Sequence, residues 1–254
     1  MDTTHSFGHR NFGTVNLGDP RRTRRLIALA DLLVRHPGGT LPDKLSQPAD
    51  LRACYRLMNR TETTHEVVMR GHTDHTRTRI AALPAGTIVL DLHDATELDY
   101  TSKTTLRSAL GQIGQGTHRG YICHNSLAVR ADTGETLGLV SQILHHRADV
   151  PKGETVGQKR DRLDRESRLW VQGAQASGPA PDHIVRVDVS DSLSDTYEYM
   201  SYEVDQKRKF VLRAKENRKL ETPLAGQNYL FDAVRGLKPL GARALEVLAS
   251  PCRK

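Results

Sequence analysis

The chain has 254 residues, enough for one large domain or a small one joined to a medium one. Hydrophobic residues make up 37% and aromatics 5%, and mean hydropathy is -0.54, so a sizeable core sits beneath a polar surface. No run approaches the roughly 20 continuous apolar residues of a membrane span, and Met1 to Asn11 contain no apolar run of the secretory type. Cys54, Cys123 and Cys252 share no close spacing, which excludes a disulfide scaffold and a four-cysteine zinc site. These features predict a cytoplasmic protein with no membrane partner. A net charge of +7 and a sequence pI near 9.4 favour a polyanionic partner.

The positive charge is concentrated early. Residues 1–86 hold 13 Lys and Arg against 8 Asp and Glu. Arg21, Arg22, Arg24 and Arg25 form one cluster, and Arg52, Arg56 and Arg60 recur four apart. On charge alone, such runs equally suit a solvated helix face.

The first predicted helix begins at Asp19-Pro20, a capping residue followed by a proline at the first helical position. Leu26, Leu29, Ala30 and Leu33 give it an apolar stripe, and His36-Pro37-Gly38-Gly39 ends it. A second helix is predicted over Ala49–Arg60, with Leu51, Cys54, Tyr55 and Met58 on its buried face. A third runs from about Thr64 to Ala82. Pro84-Ala85-Gly86 then breaks the pattern, dividing a helical domain, 1–86, from the remainder, 87–254.

Thr87–His93 reads as a strand that delivers Asp94 at its end. Tyr121–Arg130 and Leu137–Leu144 read as a hairpin around Asp132-Thr133-Gly134. A helix of about 15 residues is expected around Arg162–Ala176, then a strand, Ile184–Ser190, leading to Asp191. A helix over Ser194–Asp205 and a strand over Phe210–Ala214 follow, and the rest has weak pattern. Three consecutive strands followed by alternating helices and strands predict an α/β (α+β) fold with a mixed sheet.

Asp94 and Asp191 are the candidate site. Adjacent strands ending in Asp would project two carboxylates into one cleft, an oxygen site suited to Mg²⁺ and phosphoryl transfer. The same residues also suit the plainer role of capping a turn or helix. Gly111–Gly116 lacks the Lys-Ser/Thr of a phosphate loop and reads as a flexible loop. His72 and His75, like His145 and His146, read as exposed pairs without zinc-site spacing. No G-x-S-x-G nucleophile elbow is present.

Several of these segments resemble one known family when taken in order. Leu17-Gly18-Asp19-Pro20-Arg21-Arg22-Thr23-x-Arg25-Leu26 and Ala53-Cys54-Tyr55-Arg56-Leu57 resemble the DNA-binding domain of bacterial cut-and-paste transposases of the IS-four type, the group of the transposon Tn-five enzyme. His93-Asp94-Ala95-Thr96-x-Leu98-x-Tyr100 resembles the family's first catalytic block, usually Asp-Thr-Thr. Asp191-x-x-x-Asp195, with Tyr197 and Tyr199, resembles the second, usually Asp-Arg-Glu-x-Asp, and Phe210–Lys219 the strand beyond it. Ala95 and Ser192-Leu193 depart from those blocks.

The resemblance implies a helical DNA-binding domain followed by an RNase-H-like mixed-sheet core. Asp94 and Asp191 would be the first two acids of a DDE triad holding Mg²⁺. Arg21, Arg22, Arg25, Arg52 and Arg56 would contact double-stranded DNA at the transposon ends. The family's third acid lies on a later helix, and Glu246 precedes that position. The sequence therefore resembles a truncated, catalytically inactive transposase with an incomplete core and one uncovered sheet face. Its place would be the bacterial cytoplasm, at the nucleoid, with dimerisation onto a full-length transposase as a further partnership. The alternative is a non-enzymatic DNA-binding remnant that inhibits a full-length copy.

Overall fold

The computed structural model describes residues 5–114, 117–148, 153–162, 164–239 and 241. Gln115 and Gly116 of the glycine-rich loop, Glu246 and Cys252 lie outside them. Residues 1–213 form one compact unit and 214–254 another.

The chain opens with α1 (Phe7–Phe12), α2 (Pro20–Arg35), the single turn α3 (Leu41–Lys44), α4 (Pro48–Met58) and α5 (His65–Ala81). The Asp19 carboxylate accepts from the Arg21 N–H at 2.8 Å, satisfying one of the free amides at the start of α2. Leu26, Leu57, Val15 and Leu17 form a shared core, with Phe12, Val67 and Val68 packed against it. The buried stripe of α4 differs from expectation: it presents Cys54 and Leu57, while Tyr55 and Met58 are exposed.

Next come β1 (Ile88–Asp99), β2 (Gly111–Gln112), β3 (Arg119–Arg130) and β4 (Thr136–His145). Then follow α6 (Val156–Asp161), α7 (Leu169–Ser177), β5 (Val185–Ser190), α8 (Tyr197–Asp205) and β6 (Lys209–Leu212). The expected helix around Arg162–Ala176 is replaced by a 3-10 turn at Glu166–Arg168 and the shorter α7, and α6 lies just before that span. Gly178, at φ 73°, ends α7. The second unit holds β7 (Lys219–Leu224), β8 (Gln227–Tyr229) and α9 (Leu230–Gly236), a stretch whose sequence gave no clear pattern.

The main sheet is mixed. β1 pairs antiparallel with β3 and parallel with β5; β5 pairs parallel with β6, and β2 and β4 both pair antiparallel with β3. Because side chains alternate, Val89, Asp91 and His93 occupy one face and Leu90, Leu92 and Asp94 the other. The first face is covered. Ile80 of α5 packs with Val89, Ala128, Leu137, Val140 and Ile184, while Trp170 of α7 and Tyr199 of α8 pack with Ile113 and Ile122. On the second face Leu90, Leu92, Leu127, Val129, Val187 and Val189 are only half-buried, and Val211 is exposed. No helix among the described residues is long and apolar enough to cross a membrane.

His72 is the pin between the helices and the sheet, not an exposed residue. Its Nε2 accepts the Leu139 N–H at 2.9 Å, so its Nδ1 carries the proton and donates to Oδ1 of Asn11 at 2.8 Å. One imidazole thus joins α1, α5 and β4. Burial first, and then the nearby His75, hold its pKa below the ordinary 6.5. Protonating Nε2 would set one N–H against another. Because the folded pKa is lowered, this stabilisation is complete above about pH 6.5 and is lost as pH falls below it. Thermal melts should show a lower midpoint at about pH 5 than at about pH 7.5, and the difference should shrink in His72→Gln.

Candidate metal and nucleic-acid site

Two acidic clusters occupy opposite faces of the sheet. The parallel pairing of β1 and β5 ends at His93–Ser190; Asp94 is the next residue of β1, and Asp191 is the first residue after β5. Register therefore brings the two predicted acids to neighbouring positions, both exposed. Asp94 is not at a strand end, as the sequence implied, because β1 continues to Asp99 against β3. Only its parallel neighbour stops there. Asp191 accepts the Leu193 N–H at 2.9 Å and opens the 3-10 turn Ser192–Ser194, so the capping role is present too. The Asp94 carboxylate accepts the Ala95 N–H at 2.8 Å.

The second cluster escaped the sequence reading. Asp91, His93 and Asp188 lie buried on the covered face, with ligand atoms within 4.8 Å of one another, a group that could hold a metal ion. Register explains it, since Asp91 pairs with Asp188. The alternation Asp91-x-His93 was the available signal.

The partners of this trio are cations already. Arg208 donates from Nε and Nη2 to Asp188 at 3.0 and 2.9 Å, and Arg186 donates from Nε to Asp91 at 2.5 Å. The Ser141 hydroxyl donates to Ser126 at 2.8 Å, Ser126 to Nδ1 of His93 at 2.9 Å, and Nε2 of His93 to Asp188 at 2.8 Å. Burial pushes the Asp188 carboxyl upward, but the His93 hydrogen bond and Arg208 prevail and hold it below the usual range. Glu203 sits behind Arg208, raised to about 7 first by burial and then by the Asp188 charge. His124 is fully buried beside His93, without a hydrogen-bond partner for either nitrogen among the described residues, and burial lowers its pKa to about 3. With two guanidinium groups supplying the countercharge, the donor set fits a structural ion network better than a bound cation.

The arginines divide into two groups. Arg21, Arg52 and Arg56 are exposed. Arg22 donates to the Leu17 carbonyl and to Glu62, both at 2.8 Å, and Arg25 pairs with Asp50 at 2.9 Å. Both pairs tie α2 to the α4 region, which leaves these two guanidinium groups less free than the other three.

With this geometry in view, comparison with known families is informative. Residues 4–63, the stretch carrying all five arginines, match the family model described as transposase DNA-binding. The helical N-terminal segment is thus similar to a transposase DNA-binding domain, and the match supports a transposase-family DNA-binding role.

The buried network gives a direct expectation. Asp188→Ala leaves Arg208 and His93 without their shared partner and should cost about 3–5 kcal/mol in chemical denaturation. The wild-type melting temperature should not move on adding EDTA.

Proposed function

We propose that the protein is a DDE transposase-family protein of the IS-four, Tn-five-like type that binds double-stranded DNA at transposon ends. The observation that carries this reading is the conjunction of a segment similar to a transposase DNA-binding domain with a β1–β5 pairing whose last pair, His93–Ser190, directly precedes Asp94 and Asp191. The strand arrangement, three antiparallel neighbours followed by two parallel ones, supports an RNase-H-like core for residues 87–254 behind a DNA-binding domain at 1–86.

Arg21, Arg52 and Arg56 are the leading contacts in this reading, as exposed guanidinium groups that can bind phosphates and read guanine edges by paired hydrogen bonds. Arg22 and Arg25 hold α2 in place and would reach DNA with whatever donors their ion pairs leave over. Mg²⁺, when bound by Asp94 and Asp191, would supply Lewis-acid chemistry for phosphoryl transfer. The two carboxylates fit such a hard cation in ligand type and exposure. Among the described residues these two carboxylates provide few of the oxygen ligands that Mg²⁺ takes, so the protein is proposed to bind ends without cutting them, acting at the bacterial nucleoid and dimerising with a transposase.

A salt titration of duplex binding tests the DNA assignment. Log K should fall linearly with log salt, and Arg21→Ala and Arg56→Ala should each flatten the slope by about 0.9. Absence of binding at low salt would overturn it. Nicking of duplex DNA should be undetectable in Mg²⁺; Mg²⁺-dependent nicking abolished by Asp94→Ala would show a functional catalytic centre instead.

A further inference from the structure

Strand register lays a polar row across the half-open face of the sheet. Asp191 and Asp94 each follow the last parallel pair, His93–Ser190; Asp94 stands opposite Asn125 on β3, and Asn125 stands opposite Gln142 on β4. Directly paired residues share a face. The row ends at His65, the first residue of α5, whose Nε2 lies 3.0 Å from Oε1 of Gln142.

The hydrogen bonds give this row a direction. Gln142 donates from Nε2 to Oδ1 of Asn125 at 2.7 Å. Its Oε1 is therefore the acceptor, and His65 donates to it. The Cys123 thiol also donates to Oδ1 of Asn125, at 3.6 Å. With that oxygen engaged twice, the free end of Asn125 is Nδ2, which makes no hydrogen bond among the described residues. A side chain whose acceptor is fixed by two neighbours presents a fixed pair of donors.

We propose that Asn125 donates from Nδ2 to a non-bridging phosphodiester oxygen of DNA held at Asp94 and Asp191, with Gln142 and His65 as positioning residues that set which end of the amide faces the acids. This rests on the reading of Asp94 and Asp191 as a divalent-cation site. The chemistry suits the place. Two carboxylates repel a phosphate, and a metal between them removes that repulsion but leaves the phosphate free to turn. A neutral donor fixes the orientation without competing for the cation, as an oxygen ligand would.

Mn²⁺ binding followed by electron paramagnetic resonance, with and without an arbitrary DNA duplex, tests the proposal in the full chain. In the wild type the duplex should tighten Mn²⁺ binding. Asn125→Ala should reduce that enhancement about three- to tenfold, one hydrogen bond's worth. Gln142→Glu should reverse the amide: the introduced carboxylate takes the Nδ2 donors and turns Oδ1 of Asn125 toward the acids. Mn²⁺ affinity without DNA should then rise several-fold while the duplex enhancement falls. Asn125→Asp should change both quantities in the same directions, more strongly.

If Asp94→Ala abolishes Mn²⁺ binding but neither Asn125→Ala nor Gln142→Glu alters the duplex enhancement, with far-UV circular dichroism unchanged, Asn125 is structural and the proposal fails alone. If Asp94→Ala leaves Mn²⁺ binding unchanged, the cation site itself is wrong and the proposal falls with it.

Discussion

The hydrogen bond from His93 to Asp188 fixes the alignment on which the candidate site depends. It spans β1 and β5 in the buried interior of the covered face, and Arg208 grips the same carboxylate from just before β6. Asp91 and Arg186 make the parallel contact two residues earlier. A slip of one residue would reverse which side chains meet the core, so it would bury Asp94 and expose His93. Burying unpaired charge costs several kcal/mol, so the register that neighbours Asp94 with Asp191 is enforced from the opposite side of the sheet. The buried network positions the exposed pair without touching it.

Much of this was legible in the amino-acid sequence. The cap and proline at Asp19-Pro20 located the start of α2, and the glycine-bearing turn at Asp132–Gly134 located the β3–β4 hairpin. Asp94 and Asp191 are singled out because each follows an apolar run. Local pattern missed what depends on a distant partner. β1 runs past Asp94 only because β3 offers a long antiparallel edge, and nothing within Asp94–Asp99 announces that edge. The helix expected around Arg162–Ala176 is broken into shorter pieces, and His72 is occupied at both nitrogens by residues 61 and 67 positions away. The salt bridges of Arg22 and Arg25 were likewise invisible, because a cluster of arginines looks the same whether or not its acidic partners fold back onto it. The proposed row through Asn125 belongs to the same class, since its members come from three strands and a helix.

The N-terminal helices show a division of labour among like residues. Leu26 and Leu57 hold α2 to α4 from within, and the Arg22–Glu62 and Arg25–Asp50 pairs brace the outer edge. Exposed pairs of this kind contribute little stability each, about 0.2–1 kcal/mol. Their greater effect is geometric: they hold two positive side chains close to the helix surface, so that Arg21, Arg52 and Arg56 stand out from it. Arginine content alone would overstate the number of contacts available to a polyanion.

α5 serves two cores at once. Near its start Val67 and Val68 pack against the helical cluster of Leu17 and Leu26, and near its end Ile80 lies within the strand cluster of Val89 and Ala128. Seventeen residues of helix make a rod of roughly 25 Å. Stiffness over that length means that strain applied at one end is delivered at the other. A duplex pressing on the arginine-bearing helices would load the beam at the end that begins with His65, and the far end would carry that load into the strand cluster around Ile80.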